Sequence, residues 1–309
     1  MNRFGKYRCA SVIVILVACM ALLGIELVTR LVLVKISRVE ARGLLEYESV
    51  VQTRNHSASQ LRILLLGNSL LLEGVDFPVL KAALRPQWYA QRYVVDDTNY
   101  YDWYYGLRRL YREGATHDVV ALVLTAQQLT STRVRGSYFA RRLMYPADFI
   151  AVARATGMHP TQAMDLFFSS ISEFYGLRSE LRKVLLGRLI PELPALAARF
   201  VVYPQWMPDS GQVYRVSLDR LSALRDFSKR MGTSLFLVIP PLSRPADLDG
   251  SRDVIRAGAT AGVTVLMPIP SGTLPHSAYR DGFHLNGVGA KRFTAALANA
   301  LTEALSMTE

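Results

Sequence analysis

Three short, uninterrupted apolar runs set the strongest constraint on this chain: residues 62–66 ending at Gly67, residues 119–124, and residues 235–239. Each is rich in Leu, Val and Ile and lacks polar alternation, as expected of a strand buried on both faces of a parallel sheet. Shorter candidates lie at 93–95 and 263–266. Between the runs the pattern turns helical: a loop and helix at 70–84, then helices at 100–112, 217–231, 251–261 and 288–305. Strands alternating with helices predict an α/β fold with a parallel sheet between two helical layers. The alternation lapses from Thr125 to Pro208, where only helical patterns occur, at 147–156, 161–169 and 172–190. We read residues 130–210 as a helical insertion.

The N-terminus obeys a different rule. Arg3, Lys6 and Arg8 precede an uncharged apolar run from Cys9 to Ile25, and apolar character resumes after Glu26 as far as Val34. About 20 such residues cross a bilayer as a helix. Residues 1–35 therefore read as a cytoplasmic tip and single-pass signal anchor, with leading positive charge holding the tip in the cytoplasm. Glu26 and Arg30 are spaced to pair on one helix face near the outer boundary. Two other readings stay open. Leu16-Val17-Ala18-Cys19 resembles a bacterial lipobox with Cys19 as the lipidated residue, and the run also admits a cleaved secretory signal. All three send the remaining chain out of the cytoplasm. Residues 36–60 read as a juxtamembrane helix and polar linker broken at Asn55-His56-Ser57, leaving 61–309 as one α/β domain.

Composition removes several functions. Both cysteines, Cys9 and Cys19, precede the globular part, which therefore has no thiolate metal site and no disulfide. His56, His117, His159 and His276 are scattered without metal-ligand spacing, and no Gly-rich phosphate loop occurs. No metal or other cofactor is expected. The net charge of +11 lies in small clusters such as Arg133/Arg135 and Arg141/Arg142, which suits an anionic membrane surface or glycan better than nucleic acid.

Two local patterns carry chemistry. Gly67-Asn68-Ser69 follows the first strand directly, which puts a serine where ligand crevices form in open parallel sheets, with Gly67 to permit a tight turn. Near the other end, Asp281-Gly282-Phe283-His284 precedes the last helix. An acid three residues before a histidine can bind one ring nitrogen while the other faces a serine. The G-x-S-x-G elbow of the α/β-hydrolase motif is absent, since Leu71 is the second residue after Ser69.

On these residues the chain resembles the SGNH (GDSL-like) hydrolase and acyltransferase family, whose first block is a G-D-S or G-N-S turn and whose last is D-x-x-H. The resemblance covers about residues 61–305 and implies a flavodoxin-like three-layer α/β/α sandwich. It implies Ser69 as nucleophile, His284 as general base then acid, and Asp281 as the group orienting the imidazole. It also implies ester substrates, often acetyl groups on glycans, and for anchored relatives acyl groups delivered by a multi-span membrane acyltransferase. The middle blocks depart from the family. Residues 96–102 read Asp-Asp-Thr-Asn-Tyr-Tyr-Asp, with no glycine before Gly106, and Thr125-Ala126-Gln127-Gln128 stands in place of G-x-N-D. The second oxyanion donor beside the Ser69 amide is accordingly open among Gln127, Gln128 and Asn99, and Gln127 and Gln128 read equally well as a polar strand end.

The aromatic cluster Tyr100, Tyr101, Trp103, Tyr104 and Tyr105 reads first as core and second as a platform for sugar rings. Arg141 and Arg142 read first as a solvated face of the insertion and second as a contact for an anionic substrate. The expectation for function is a membrane-anchored serine esterase or O-acyltransferase acting on an envelope or exported polysaccharide, outside the bacterial cytoplasmic membrane. The alternative is a non-catalytic glycan-binding or scaffold protein of the same fold.

Overall fold

The computed structural model describes residues 3–33, 38–52, 60–190, 192 and 209–306. Five parallel strands, β1 (Leu61–Gly67), β2 (Trp88–Val94), β3 (Val119–Val123), β4 (Ser234–Val238) and β5 (Thr264–Leu266), form one sheet in the order β2-β1-β3-β4-β5. This is the flavodoxin-like doubly wound order, whose topological switch point lies between β1 and β3. Ligand crevices of such sheets open there, beyond the carboxyl ends of the strands.

Alternate residues of each strand feed two separate cores. Ile63, Leu65, Ala121 and Val238 face α3 (Ser69–Gly74), α4 (Phe77–Ala83) and α12 (Gly287–Ser306). Leu64, Leu66, Leu122 and Leu237 face α5 (Tyr100–Arg112), α6 (Ala126–Thr130), α10 (Ser210–Arg230) and α11 (Asp247–Ala261). All eight strand residues are buried to within 1%, which is why their runs carry no polar alternation.

β2 begins earlier than expected. Only its end reads as an apolar run, because Gln91 and Arg92 interrupt it. Both are taken up by α2 (Arg38–Val51): Gln91 donates to the Ser49 carbonyl at 2.7 Å, and Arg92 pairs with Glu46 at 2.9 Å. Glu46 also accepts the Val94 amide at 2.8 Å, and Val50 is fully buried. α2, expected from the sequence as a juxtamembrane helix, thus packs on the edge strand of the sheet. The expected break at Asn55-His56-Ser57 lies outside the described residues.

Ahead of α2, α1 (Arg3–Val28) continues through a π-helical turn, Thr29–Leu33. Its segment Ser11–Leu31 is long and apolar enough to cross a membrane and is almost wholly exposed. The insertion between β3 and α10 carries α7 (Phe149–Thr156), α8 (Pro160–Ile171) and α9 (Glu173–Leu189), close to the expected helices; part of the rest of it, 193–208, lies outside the described residues.

Arg141 and Arg142 are not a solvated face. The Arg141 side chain is 3% exposed and pairs with Glu40 of α2, itself 4% exposed, and with Glu173 of α9 at 2.8 Å. Arg142 reaches the same two carboxylates at 3.4 and 3.0 Å. Gly176 leaves the space this needs, since a Cβ there would stand 2.4 Å from Arg141 Cδ. Nothing in the spacing of the arginines reveals that two acids, one far upstream and one downstream, converge on them.

Candidate active site

Ser69 is the first residue of α3, two positions after β1 ends, and so lies at the switch point. Gly67 serves close approach more than a turn. It ends the strand, and a Cβ there would meet Leu71 Cβ at 3.0 Å and Val123 Cβ at 3.2 Å. The next residue, Asn68, is fully buried. Its side-chain oxygen accepts the Leu70 amide at 3.0 Å as the N-cap of α3, and its amide donates to the Thr98 carbonyl at 3.0 Å. Asn68 therefore fixes the serine turn to the loop after β2. As first residue of the helix, Ser69 has a backbone N–H with no acceptor inside it, pointing outward with the positive end of the helix.

The histidine arrives from the far end of the chain. Residues 279 and 285 form an antiparallel bridge, closed by Arg280 N–H to the His284 carbonyl at 2.8 Å and Asn286 N–H to the Ala278 carbonyl at 2.9 Å. Asn286 anchors this turn twice: its side-chain amide donates to the Ser277 carbonyl at 2.6 Å, while its oxygen caps α12 by accepting from Val288 and Gly289 at 3.0 and 3.2 Å. Leu285 is buried in the core shared with Phe293. Gly282 takes a left-handed φ of 80°, and its carbonyl accepts from the Ser243 hydroxyl in the loop after β4.

On this turn His284 Nε2 stands 2.9 Å from Ser69 Oγ, and His284 Nδ1 stands 2.8 Å from Asp281 Oδ2. The other Asp281 oxygen accepts the His284 and Phe283 amides at 2.7 and 3.0 Å. Partial burial opposes ionisation of Asp281, but these hydrogen bonds outweigh it and hold the carboxyl well below the usual carboxylate range. An ionised Asp281 accepts from Nδ1–H and so leaves Nε2 as the acceptor facing the Ser69 hydroxyl. One turn along α3, Glu73 pairs with Arg280 at 2.8 Å, tying α3 to the histidine turn by its charged rim.

The three candidate oxyanion residues occupy different settings. Gln128 caps α6 with its side-chain oxygen, accepting the Thr125 amide at 3.0 Å. Gln127 lines a small cavity with Ile239, Pro240, Leu242 and Ser251. Asn99 precedes α5, where its backbone amide donates to Asp102 at 2.8 Å. No hydrogen bond among the described residues links any of the three side chains to Ser69 or His284. In the same loop Asp97 takes a left-handed φ of 56°, a conformation aspartate tolerates better than most residues. Asp102 is fully buried and also accepts the Arg135 amide at 2.8 Å; burial pushes its carboxyl up to about 7.

The aromatic cluster belongs mainly to the core. Trp103 is fully buried edge-on to Tyr93, Tyr100 and Tyr105 are within 4% of full burial, and Arg220 covers the rings of Tyr100 and Tyr101. Asn286 and Ser243 were not singled out by sequence. An asparagine just before a helix is a readable N-cap signal, whereas Ser243 has no local signal at all. Among the described residues, no group of three His, Cys, Asp or Glu side chains is placed to hold a metal ion.

No family model matches the chain, and no curated protein matches it in sequence. It is similar in structure to LAE5, titled an alpha/beta hydrolase enzyme from the metagenome of Lake Arreo, Spain, at 11% identity and a TM-score of 0.41 over 79% of this chain and 96% of that one. It is also similar to TesA, at 11% identity and a TM-score of 0.39 over 78% and 98% of the two chains. A third similar structure is the acetyl xylan esterase Est2A from the rumen bacterium Butyrivibrio proteoclasticus, at 10% identity and a TM-score of 0.40 over 83% and 67%.

Proposed function

We propose that this chain is a membrane-anchored serine esterase or O-acyltransferase of the SGNH kind, with Ser69 as nucleophile, His284 as general base and Asp281 as the orienting acid. One observation carries the proposal: the continuous hydrogen-bonded chain from Ser69 Oγ through His284 to Asp281, at the carboxyl end of β1. Ser69 attacks the acyl carbonyl as His284 Nε2 takes its proton, and Nδ1–H stays bonded to the ionised Asp281. The protonated His284 then gives its proton to the departing alkoxide, leaving the acyl group on Ser69. Water or a sugar hydroxyl, deprotonated in turn by His284, attacks the acyl-enzyme, the acyl–Ser69 bond breaks and His284 returns the proton to Ser69 Oγ; water makes the protein an esterase and the sugar a transferase. The Ser69 amide at the N-terminus of α3 is the first oxyanion donor. The second comes from Gln127, Gln128 or Asn99.

In this reading α1 crosses the bacterial cytoplasmic membrane once and holds the catalytic domain on its outer side, against a nascent or exported polysaccharide. The acyl group comes from a multi-span membrane acyltransferase.

The test is intact-mass analysis of the detergent-solubilised full chain after brief exposure to p-nitrophenyl acetate, with Ser69→Ala and His284→Ala alongside. One acetyl group on the wild type and none on Ser69→Ala is the expected result; candidate sugars added afterwards sort transfer from hydrolysis. An unlabelled wild type with native circular dichroism overturns the catalytic reading in favour of a glycan-binding or scaffold protein.

A further inference from the structure

We infer that the outward face of α8 is a second membrane contact, seated in the headgroup and upper acyl region of the bilayer that α1 crosses. The inference rests on the proposed spanning role of α1.

α8 carries two stripes where a surface helix of a globular protein carries one. Leu166 and Ser169 point inward, at 3% and 0% exposure. Met164, Phe167, Phe168 and Ile171, at the i, i+3, i+4, i+7 spacing of a single helix face, point outward at 48%, 37%, 42% and 53%. Phe174, 39% exposed in the first turn of α9, extends the patch. Ring contacts at 5.4 to 5.6 Å run from Phe149 through Phe167 and Phe168 to Tyr175, so these side chains are packed beside one another. A contiguous apolar patch rimmed by polar residues marks an interaction surface.

The position of the patch identifies its occupant. The Glu26 carboxylate of α1 accepts from Ser172 Oγ at 2.8 Å, Glu173 N–H at 2.8 Å and Phe174 N–H at 3.1 Å, and it pairs with Arg30 at 2.9 Å. The corner between α8 and α9 is therefore bolted to α1 at Glu26. That residue lies inside the apolar segment Ser11–Leu31, five positions short of its end, or about 7.5 Å at the rise of an α-helix. Amphipathic helices at a membrane surface bury their apolar face to a depth of about 5–10 Å. Ile171 and Phe174, which flank the corner, stand at that depth. Arg154, Arg182 and Arg188 are exposed on α7 and α9, the helices packed against α8, and exposed cations of this kind attract anionic headgroups. A water-soluble protein would have to enter the bilayer to reach the same surface.

The experiment uses the full chain with Cys9→Ser and Cys19→Ser, single nitroxide labels, and nanodiscs of mixed neutral and anionic phospholipid. Labels go on Phe168→Cys and Ile171→Cys, with Leu22→Cys in α1 and Arg252→Cys on α11 as references, 63% and 66% exposed at those positions. Power saturation with oxygen and a water-soluble nickel complex is expected to group the 168 and 171 labels with 22, rich in oxygen collisions and several-fold poorer in nickel collisions than 252. If 168 and 171 resemble 252 while 22 stays lipid-exposed, the inference fails and the anchor survives. If 22 is itself aqueous, the anchor reading fails and takes the inference with it. Labels at 168 and 171 shielded from both reagents mean that protein, a second copy or another part of this chain, covers the patch, and that also overturns the inference.

Discussion

Ser69 Oγ and His284 Nε2 lie 2.9 Å apart although 215 residues separate them in the chain. The contact depends on two unrelated pieces of local structure, a buried asparagine cap at the head of α3 and a bridged turn anchored by Asn286. Their meeting is what turns a common turn sequence and a common D-x-x-H pattern into a candidate site, and it makes the consequences of breaking either piece separable.

If the proposed triad operates, its removal is expected to abolish acyl transfer without unfolding the protein. Ser69→Ala and His284→Ala should form no acyl adduct, and Asp281→Asn should reduce the acylation rate by about 10⁴-fold, the usual effect of losing the correct imidazole tautomer. Stopped-flow release of p-nitrophenol measures all three, with circular dichroism as the folding control.

On the proposed mechanism the second oxyanion donor is identified by the size of one loss. Alanine at the true donor among Gln127, Gln128 and Asn99 is expected to slow acylation by roughly a hundredfold or more, and the other two substitutions to change it by no more than several-fold. Equal, small effects at all three would leave backbone amides as the sole donors.

Asn68→Ala is expected to destabilise the domain by about 1–3 kcal/mol, because it removes an N-cap and leaves the buried Thr98 carbonyl without its donor. It should also lower the acylation rate, since the loop after β2 is no longer tied to the serine turn. Urea unfolding in detergent reads the first effect and p-nitrophenyl acetate turnover the second.

Asp281 and Asp102 give opposite pH signatures. With its folded pKa below the unfolded value of about 4, Asp281 contributes stability that is present above that pH and lost as pH falls further. Asp102, pushed up to about 7, is protonated in the folded state where the unfolded chain is ionised, so stability falls as pH rises from about 4 to about 7. Thermal unfolding from pH 3 to 8 should show the wild-type advantage over Asp281→Asn shrinking toward low pH. Over the range pH 5 to 7, Asp102→Asn should show a flatter slope than the wild type.

The Glu40, Arg141 and Glu173 network is expected to tolerate loss of one partner badly. Arg141→Met takes the buried partner from Glu40 and Glu173, leaves them to the more exposed Arg142, and should cost up to about 3–5 kcal/mol, measured by urea unfolding.

How much of this was legible in the sequence follows from how local each signal is. β1, β3 and β4 were readable because both faces are buried and the runs are continuous, and helix 100–112 because its apolar face repeats within the helix itself. The patterns around Ser69, Asp281 and His284 stand out because each sits beside a structural boundary, and the structure brings the three side chains together. β2 was readable only at its end because Gln91 and Arg92 are neutralised by α2, some 40 residues upstream. The burial of Arg141 was invisible for the same reason, since charge looks solvated until its partners are known. The loop after β2 carries no glycine, and its organisation around a buried Asp102 depends on an amide from Arg135, far along the chain.

The packing of α2 on β2 has a bearing on where the domain begins. β2 is the outermost strand on its side, and Glu46 occupies one of its outward-facing amides. Removal of α2 together with the N-terminal helix would strip that cover and leave a strand edge able to recruit another molecule's strand. If α1 anchors the chain as proposed, any release that takes α2 with it costs solubility as well, because the segment that reads as a leash is also the sheet's fender.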